Sequence, residues 1–203
     1  QMGGCDQANL RLSKRGSWIF DMDGTLTVAV HDFDFIRREL GLEPGSPILE
    51  HIVQMPEPRR TQLTARLDEL ELEFALMATC QPGIVPLLDT LRTRAARMGI
   101  VTRNSAALAN ETLRRCGLTE FFDQADIVGR DEAVPKPAPD GIELLLSHWQ
   151  ADARDAVMVG DFVYDLEAGR NAGVTTVYYD PDNAQEWSSL ADVRIQDHFE
   201  LRR

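Results

Sequence analysis

The run Asp21-Met22-Asp23-Gly24-Thr25-Leu26-Thr27 sets two carboxylates two residues apart, ahead of a glycine and a hydroxyl. The first carboxylate can attack an electrophilic phosphorus. The second can hand a proton to a leaving oxygen and later take one from water. Gly24 lets the backbone turn sharply and approach a bound group closely. Carboxylates at this density also suit a hard cation, which prefers oxygen ligands. Three further signals lie downstream. Ile100-Val101-Thr102-Arg103-Asn104 ends an apolar run on a hydroxyl that can donate to a phosphate oxygen. The backbone N–H groups of the helix that follows add anion affinity there. Val134-Pro135-Lys136-Pro137 holds a lysine in a proline-stiffened loop. Gly160-Asp161-Phe162-Val163-Tyr164-Asp165 puts one carboxylate at a strand end and another one helical turn on, where it can also cap the next helix.

Such residues must be brought together by the elements around them. Short apolar runs rich in β-formers occur at 17–20, 98–102, 125–128, 156–160 and 174–178, with a weaker one at 192–195. Helical patterns separate them, at 84–97, 105–116, 139–149 and 165–172, the second closed by Gly117. Strands alternating with helices predict a mostly parallel sheet covered on both faces, an α/β architecture of the Rossmann kind. Ligands in such sheets bind beyond the carboxyl ends of the strands. Asp21, Thr102 and Asp161 all fall at such ends.

Residues 31 to 80 break the alternation and read as all-helical. A helix is expected over 31–40, carrying Phe33, Ile36 and Leu40. Ser46-Pro47 should open a short helix, serine as cap and proline in the first turn. A long helix beyond Pro58 spaces Leu63, Leu67, Leu70, Phe74 and Met77 like a short seam, which fits an apolar stripe packed on neighbours. The expected division is an α/β core of 17–27 and 84–203, a helical insert of 28–83 and a polar tail of 1–16.

The chain has 203 residues, 33 acidic against 21 basic, and a net charge of −12. That charge opposes nucleic acid and anionic membrane as partners. It also demands a local source of positive charge if an anionic phosphate is to bind. Cys5, Cys80 and Cys116 show no metal-ligand spacing and no disulfide framework. Reduced thiols in a cytoplasmic protein are expected.

The ordered series DxDGT, strand-terminal Thr, Lys and GDxxxD resembles the four motifs of the haloacid dehalogenase superfamily, over residues 17 to about 180. The helical insert is similar to the small cap of its phosphoglycolate phosphatase and β-phosphoglucomutase subgroup. The resemblance implies a Mg²⁺-dependent phosphatase acting on a small phosphomonoester, phosphoglycolate-like or a sugar phosphate. Asp21 is then the nucleophile that carries an aspartyl-phosphate, and Asp23 the general acid and base. Mg²⁺ is held by the Asp21 carboxylate, the Asp23 carbonyl and Asp161. Gly24, Thr102, Arg103 and Lys136 bind the substrate, and Asp165 orients a water or Lys136 from behind. Arg103 stands where many relatives carry asparagine. Selection of the leaving group falls to the cap, with His31, Asp32, Arg37 and Arg38 as candidates, although charges on one helical face are more simply read as solvated. A phosphomutase on the same scaffold remains an alternative, and a non-catalytic binding module a weaker one. A dehalogenase is disfavoured by Asp23, since those relatives lack the second aspartate. The substrate's identity and monomer or dimer are left open.

Overall fold

A computed structural model of the chain describes residues 12–202. Six strands form one parallel sheet: β1 Ser17–Phe20, β2 Arg97–Val101, β3 Ile127–Val128, β4 Ala156–Gly160, β5 Thr175–Tyr179 and β6 Val193–Ile195. Their spatial order is β3-β2-β1-β4-β5-β6, so β1 lies between β2 and β4. This is the doubly wound order in which ligands collect where the winding reverses, outside the carboxyl ends of the central strands.

Both faces of the sheet are covered, which is why its strands read as unbroken apolar runs. Trp18 and Phe20 point into one cluster with Ile100, Val157 and Val177, under α4 (Ile84–Thr93) and α5 (Ala106–Cys116). Ile19 and Met158 point into the opposite cluster, with Val101, under α6 (Asp140–Trp149) and α7 (Val163–Asn171). Each fully buried large side chain contributes roughly 1.5–3 kcal/mol. Leu12 is also buried against the first cluster, so ordered packing begins ahead of Ser17. Residues 1–11 of the expected N-terminal tail, with Cys5, lie outside the described residues.

Between β1 and α4 lie three helices: α1 Phe33–Leu40, α2 Ile48–Gln54 and α3 Arg59–Leu76. They enclose an apolar cluster of their own, built on Ile36, Leu40, Ile52, Leu63, Leu67 and Leu70. Two antiparallel linkers join this segment to the sheet. Val28 N–H donates to the Thr79 carbonyl at 2.9 Å, and Gln81 N–H to the Leu26 carbonyl at 3.0 Å.

Several boundaries differ from expectation for local reasons. The helix expected to run to Arg97 stops at Thr93, because Ala95 turns left-handed (φ 57°) to feed β2. α1 starts at Phe33 rather than His31, since Asp32 caps it and accepts from Phe35 N–H at 2.9 Å. Ser46 is not the cap of α2. Pro47 holds that position with no side-chain bond, and the Ser46 hydroxyl donates instead to the Glu43 carbonyl at 2.7 Å. The stripe of α3 ends at Phe74, with Met77 beyond the helix and 56% exposed. Among the described residues no helix is long and apolar enough to cross a membrane. Cys80 and Cys116 are free thiols brought together by the fold, and Cys80 Sγ–H donates to the Cys116 carbonyl at 2.9 Å.

Candidate active site

Asp21 leaves β1 and Asp161 leaves β4, side by side at the carboxyl edge of the sheet. Gly24 turns between them with φ of 88°. A Cβ on Gly24 would stand 2.3 Å from Asp161 Oδ2, so a side chain is excluded by space as well as by torsion. Thr25 Oγ1 donates to Asp161 Oδ1 at 2.8 Å and fixes that carboxylate. Gly160 is constrained by space alone, because its missing Cβ makes room for Asp165.

Lys136 is buried, and its Nζ donates to Asp21 Oδ1 and to Asp165 Oδ1, each at 2.7 Å. Burial works against its charge, but Asp165 and Asp21 outweigh it and hold the ammonium above its usual range. Asp165 also accepts from Phe162 N–H at 3.1 Å, so it caps α7 while it positions the lysine. One carboxylate thus bonds both the lysine and the first turn of α7.

One oxygen from each of Asp21, Asp161 and Asp165 lies within 4.8 Å of the others. Burial and the neighbouring Asp21 and Asp165 carboxylates push the Asp161 carboxyl well above its ordinary range. Burial likewise lifts Asp165 to about 6, with Asp21 adding to the rise and Lys136 opposing it. One ammonium among three crowded carboxylates leaves a charge deficit that a hard cation fits. The Asp23 side chain stands apart from this group, beside His31, whose Nδ1 is 3.9 Å from Asp23 Oδ1. Burial raises its carboxyl, partly offset by His31. A raised carboxyl suits a group that must first donate a proton.

A cavity of about 280 Å³ opens over these residues, bounded below by Asp21, Asp23, Thr102 and Lys136. Its roof comes from α1, α2 and α3. Thr102 is buried at the end of β2, and its Oγ1 accepts from Asn104 N–H at 3.1 Å. Arg103 also lines the cavity, but its guanidinium grips Glu50 of α2 through two bonds of 3.0 Å and donates to the Lys136 carbonyl. It stacks over Tyr164 as well, 4.9 Å from the ring centre. Of the four cap candidates, His31 and Arg37 line the cavity, Asp32 is engaged as a helix cap, and Arg38 is exposed on α1.

Four participants escaped the sequence reading. Glu50 and Glu71 sit on helices of the insert, where acidic residues read as solvated. Burial lifts the Glu71 carboxyl to about 7 despite Arg130, which donates to it at 2.8 Å and also to Asp68. Asn104 faces Asp23, and Tyr164 backs Arg103. Asn104 and Tyr164 both lay inside quoted runs, Asn104 just after Thr102-Arg103 and Tyr164 next to Asp165 in the GDxxxD run.

A profile of haloacid dehalogenase-like hydrolases matches residues 34–179. An uncharacterised hydrolase of Saccharomyces cerevisiae is 30% identical over 190 residues, which is 90% of this chain and 87% of that protein. Pyrophosphatase PpaX of Bacillus velezensis is 38% identical over 180 residues, 78% of this chain and 80% of its own. The crystal structure of a hydrolase from Pseudomonas syringae superposes with a TM-score of 0.77 at 22% identity, covering 92% of this chain and 96% of that one. The acidic crevice at the switch of a doubly wound sheet, the profile spanning most of the chain and the relative matched nearly end to end lead to one assignment: the chain belongs to the haloacid dehalogenase-like hydrolase family.

Proposed function

We propose that the chain is a Mg²⁺-dependent phosphatase that hydrolyses a small phosphomonoester through an aspartyl-phosphate at Asp21. The observation that carries this reading is the buried Lys136 bridging Asp21 and Asp165 at the strand ends. That contact keeps Asp21 oriented and places a cation where the transferring oxygens must lie. Asp21 attacks phosphorus, and the bond to the leaving oxygen breaks. Asp23, raised by burial and on the leaving-group side beside His31, protonates that oxygen. It then takes a proton from the water that opens the acyl-phosphate. Lys136 and the Thr102 hydroxyl hold the transferring oxygens. Arg103 acts at one remove, by holding the Lys136 carbonyl.

Asp21 and Asp161, with the Asp23 carbonyl, are the groups that would hold Mg²⁺. The cation would neutralise charge on the phosphoryl oxygens and screen the crowded carboxylates. Thr25 keeps Asp161 aimed for that role. The helices of the insert overhang the site and would shield it from bulk water. Several of the relatives are named pyrophosphatase, and phosphoryl chemistry at a small substrate fits this chain equally.

The test is phosphate release from a panel of phosphorylated metabolites with and without Mg²⁺, together with beryllium trifluoride binding as an acyl-phosphate mimic. Metal-dependent release that is lost in Asp21→Asn supports the reading. Release that survives in Asp21→Asn would exclude covalent catalysis at this residue.

A further inference from the structure

Resting on that reading, we infer that the substrate's leaving group is an uncharged, largely apolar alcohol of about one ring, such as an arylmethyl or branched-alkyl group. A leaving group with a second anion, or one rich in hydroxyls, is disfavoured. The first ground is the wall. Beyond the phosphoryl floor the cavity meets Phe33, Ile48, Leu49 and Leu67 of the insert and Phe162 of the core. A volume of about 280 Å³ lies just under the span of roughly 300–1,000 Å³ that holds drug-sized ligands. With the phosphoryl group seated at the bottom, one ring or a short branched chain fills what remains. Sugar hydroxyls turned toward these carbon atoms would lose their hydrogen bonds to water without replacement, and Asp23 and Glu71 accept only from hydroxyls turned toward them.

The second ground is charge. Every cation lining the cavity already holds a carboxylate. Lys136 bridges Asp21 and Asp165, and Arg103 grips both oxygens of Glu50. Arg37 donates to Asp34 at 3.0 Å and to the Ser46 carbonyl at 2.9 Å. What faces the leaving group instead is acidic: Asp23 below and Glu71 above. A carboxylate or second phosphate there would have to displace an existing partner.

The third ground is His31. Its ring stacks between Phe33 and Phe74, with centroids 5.6 and 4.9 Å away. The side chain is 7% exposed, and its Nδ1 has no hydrogen-bond partner. Among the described residues it is the one cavity-lining side chain with a buried, unpartnered polar atom. It lies 3.9 Å from Asp23, next to where the ester oxygen must sit. The site therefore offers Asp23 and one unpartnered polar atom at the ester oxygen, an aromatic face beside them and apolar contacts beyond.

The experiment measures kcat/KM for phosphate release by the full chain with Mg²⁺. Substrates are benzyl phosphate, 4-carboxybenzyl phosphate, 2-phosphoglycolate, glucose 6-phosphate and pyrophosphate. Benzyl phosphate should exceed each of the others by about tenfold or more, the scale set by unpaired polar groups in an apolar pocket. Leu49→Lys, at a half-buried position, should swing the ratio toward 4-carboxybenzyl phosphate by about tenfold, with the fold checked by circular dichroism. Calorimetric binding of benzylphosphonate and phosphonoacetate reads the same preference without turnover. Preference for phosphoglycolate, glucose 6-phosphate or pyrophosphate, or tighter binding of phosphonoacetate, would overturn the inference and leave the phosphatase reading standing. No phosphate release from any substrate while benzylphosphonate still binds more tightly would remove the phosphatase reading and keep the pocket assignment.

Discussion

At the scale of single residues, the proposed mechanism separates attack, proton transfer and charge compensation onto different side chains, and each can be tested alone. Asp21→Asn keeps the shape of the nucleophile and removes its charge. Turnover should fall by about a thousandfold or more, as when an essential covalent catalyst is lost. Asp161→Ala and Lys136→Ala should fail differently. The first should shift Mg²⁺ titrations to higher concentration and recover in part there. The second should lose about 2–4 kcal/mol of barrier reduction with no rescue by metal, since it removes an electrostatic stabiliser. Identical Mg²⁺ titrations for Asp161→Ala and the parent protein would take Asp161 out of the metal shell. Behind the loop, His198 is fully buried, with its Nε2 at 2.8 Å from the Thr25 carbonyl and its ring stacked on Tyr179. Burial pushes its pKa down from 6.5 to about 4. The unfolded chain therefore takes up a proton between about pH 6.5 and 4 that the folded one refuses. Stability present above pH 6.5 is lost as pH falls through that window, by about 3 kcal/mol at its lower end. In His198→Gln, unfolding midpoints between pH 7 and 4.5 should fall less steeply than in the parent. Parallel slopes would show that His198 does not titrate differently in the two states.

At the scale of elements, the catalytic floor was legible in sequence and its roof was not. Asp21, Thr102 and Asp161 end strands whose apolar runs are continuous because both sheet faces are buried. Lys136 was legible through the prolines on either side of it. The helices of the insert announced their apolar stripes, but which polar residue turns inward depends on tertiary packing. Glu50 pairs with Arg103 and Glu71 with Arg130 across the insert and core, through contacts of 53 and 59 positions in sequence. Local patterns hold no record of such pairs. Arg130 reaches back from the loop after β3 to Glu71 and Asp68 of α3, and its side chain is 8% exposed. Arg130→Ala would leave Glu71 buried with no cation, and its carboxyl would rise further above 4.5. A raised carboxyl costs stability as pH climbs from the unfolded value toward the folded one. The deficit of Arg130→Ala should therefore be larger at pH 8.5 than at pH 6, and up to about 3–5 kcal/mol. Adding Glu71→Gln should flatten that pH dependence. A deficit equal at both pH values would mean that the arginine acts through packing alone.

At the scale of the whole molecule, a chain of net charge −12 must attract a substrate that is itself an anion. The local field of Lys136, joined by that of the proposed divalent cation, acts within the crevice, whereas the summed acidic surface acts on approach. Over the last nanometre the two oppose each other, and salt decides the balance. The Debye length is about 30 Å at 0.01 M ionic strength and about 8 Å at 0.15 M. At low salt the substrate feels the repulsion of most of the surface. At physiological salt it feels chiefly the carboxylates and cations lining the cavity. Electrostatic steering of an attractive pair is weakened by salt, so a repulsive approach must be eased by it. For a dianionic phosphomonoester at constant free Mg²⁺, kcat/KM should rise by about two- to tenfold between these ionic strengths, with kcat little changed. The measurement is initial-rate kinetics in tetramethylammonium chloride, whose cation is too large to compete for a carboxylate cage. A fall in kcat/KM with added salt would show that the positive centre of the crevice reaches beyond the acidic surface and governs capture.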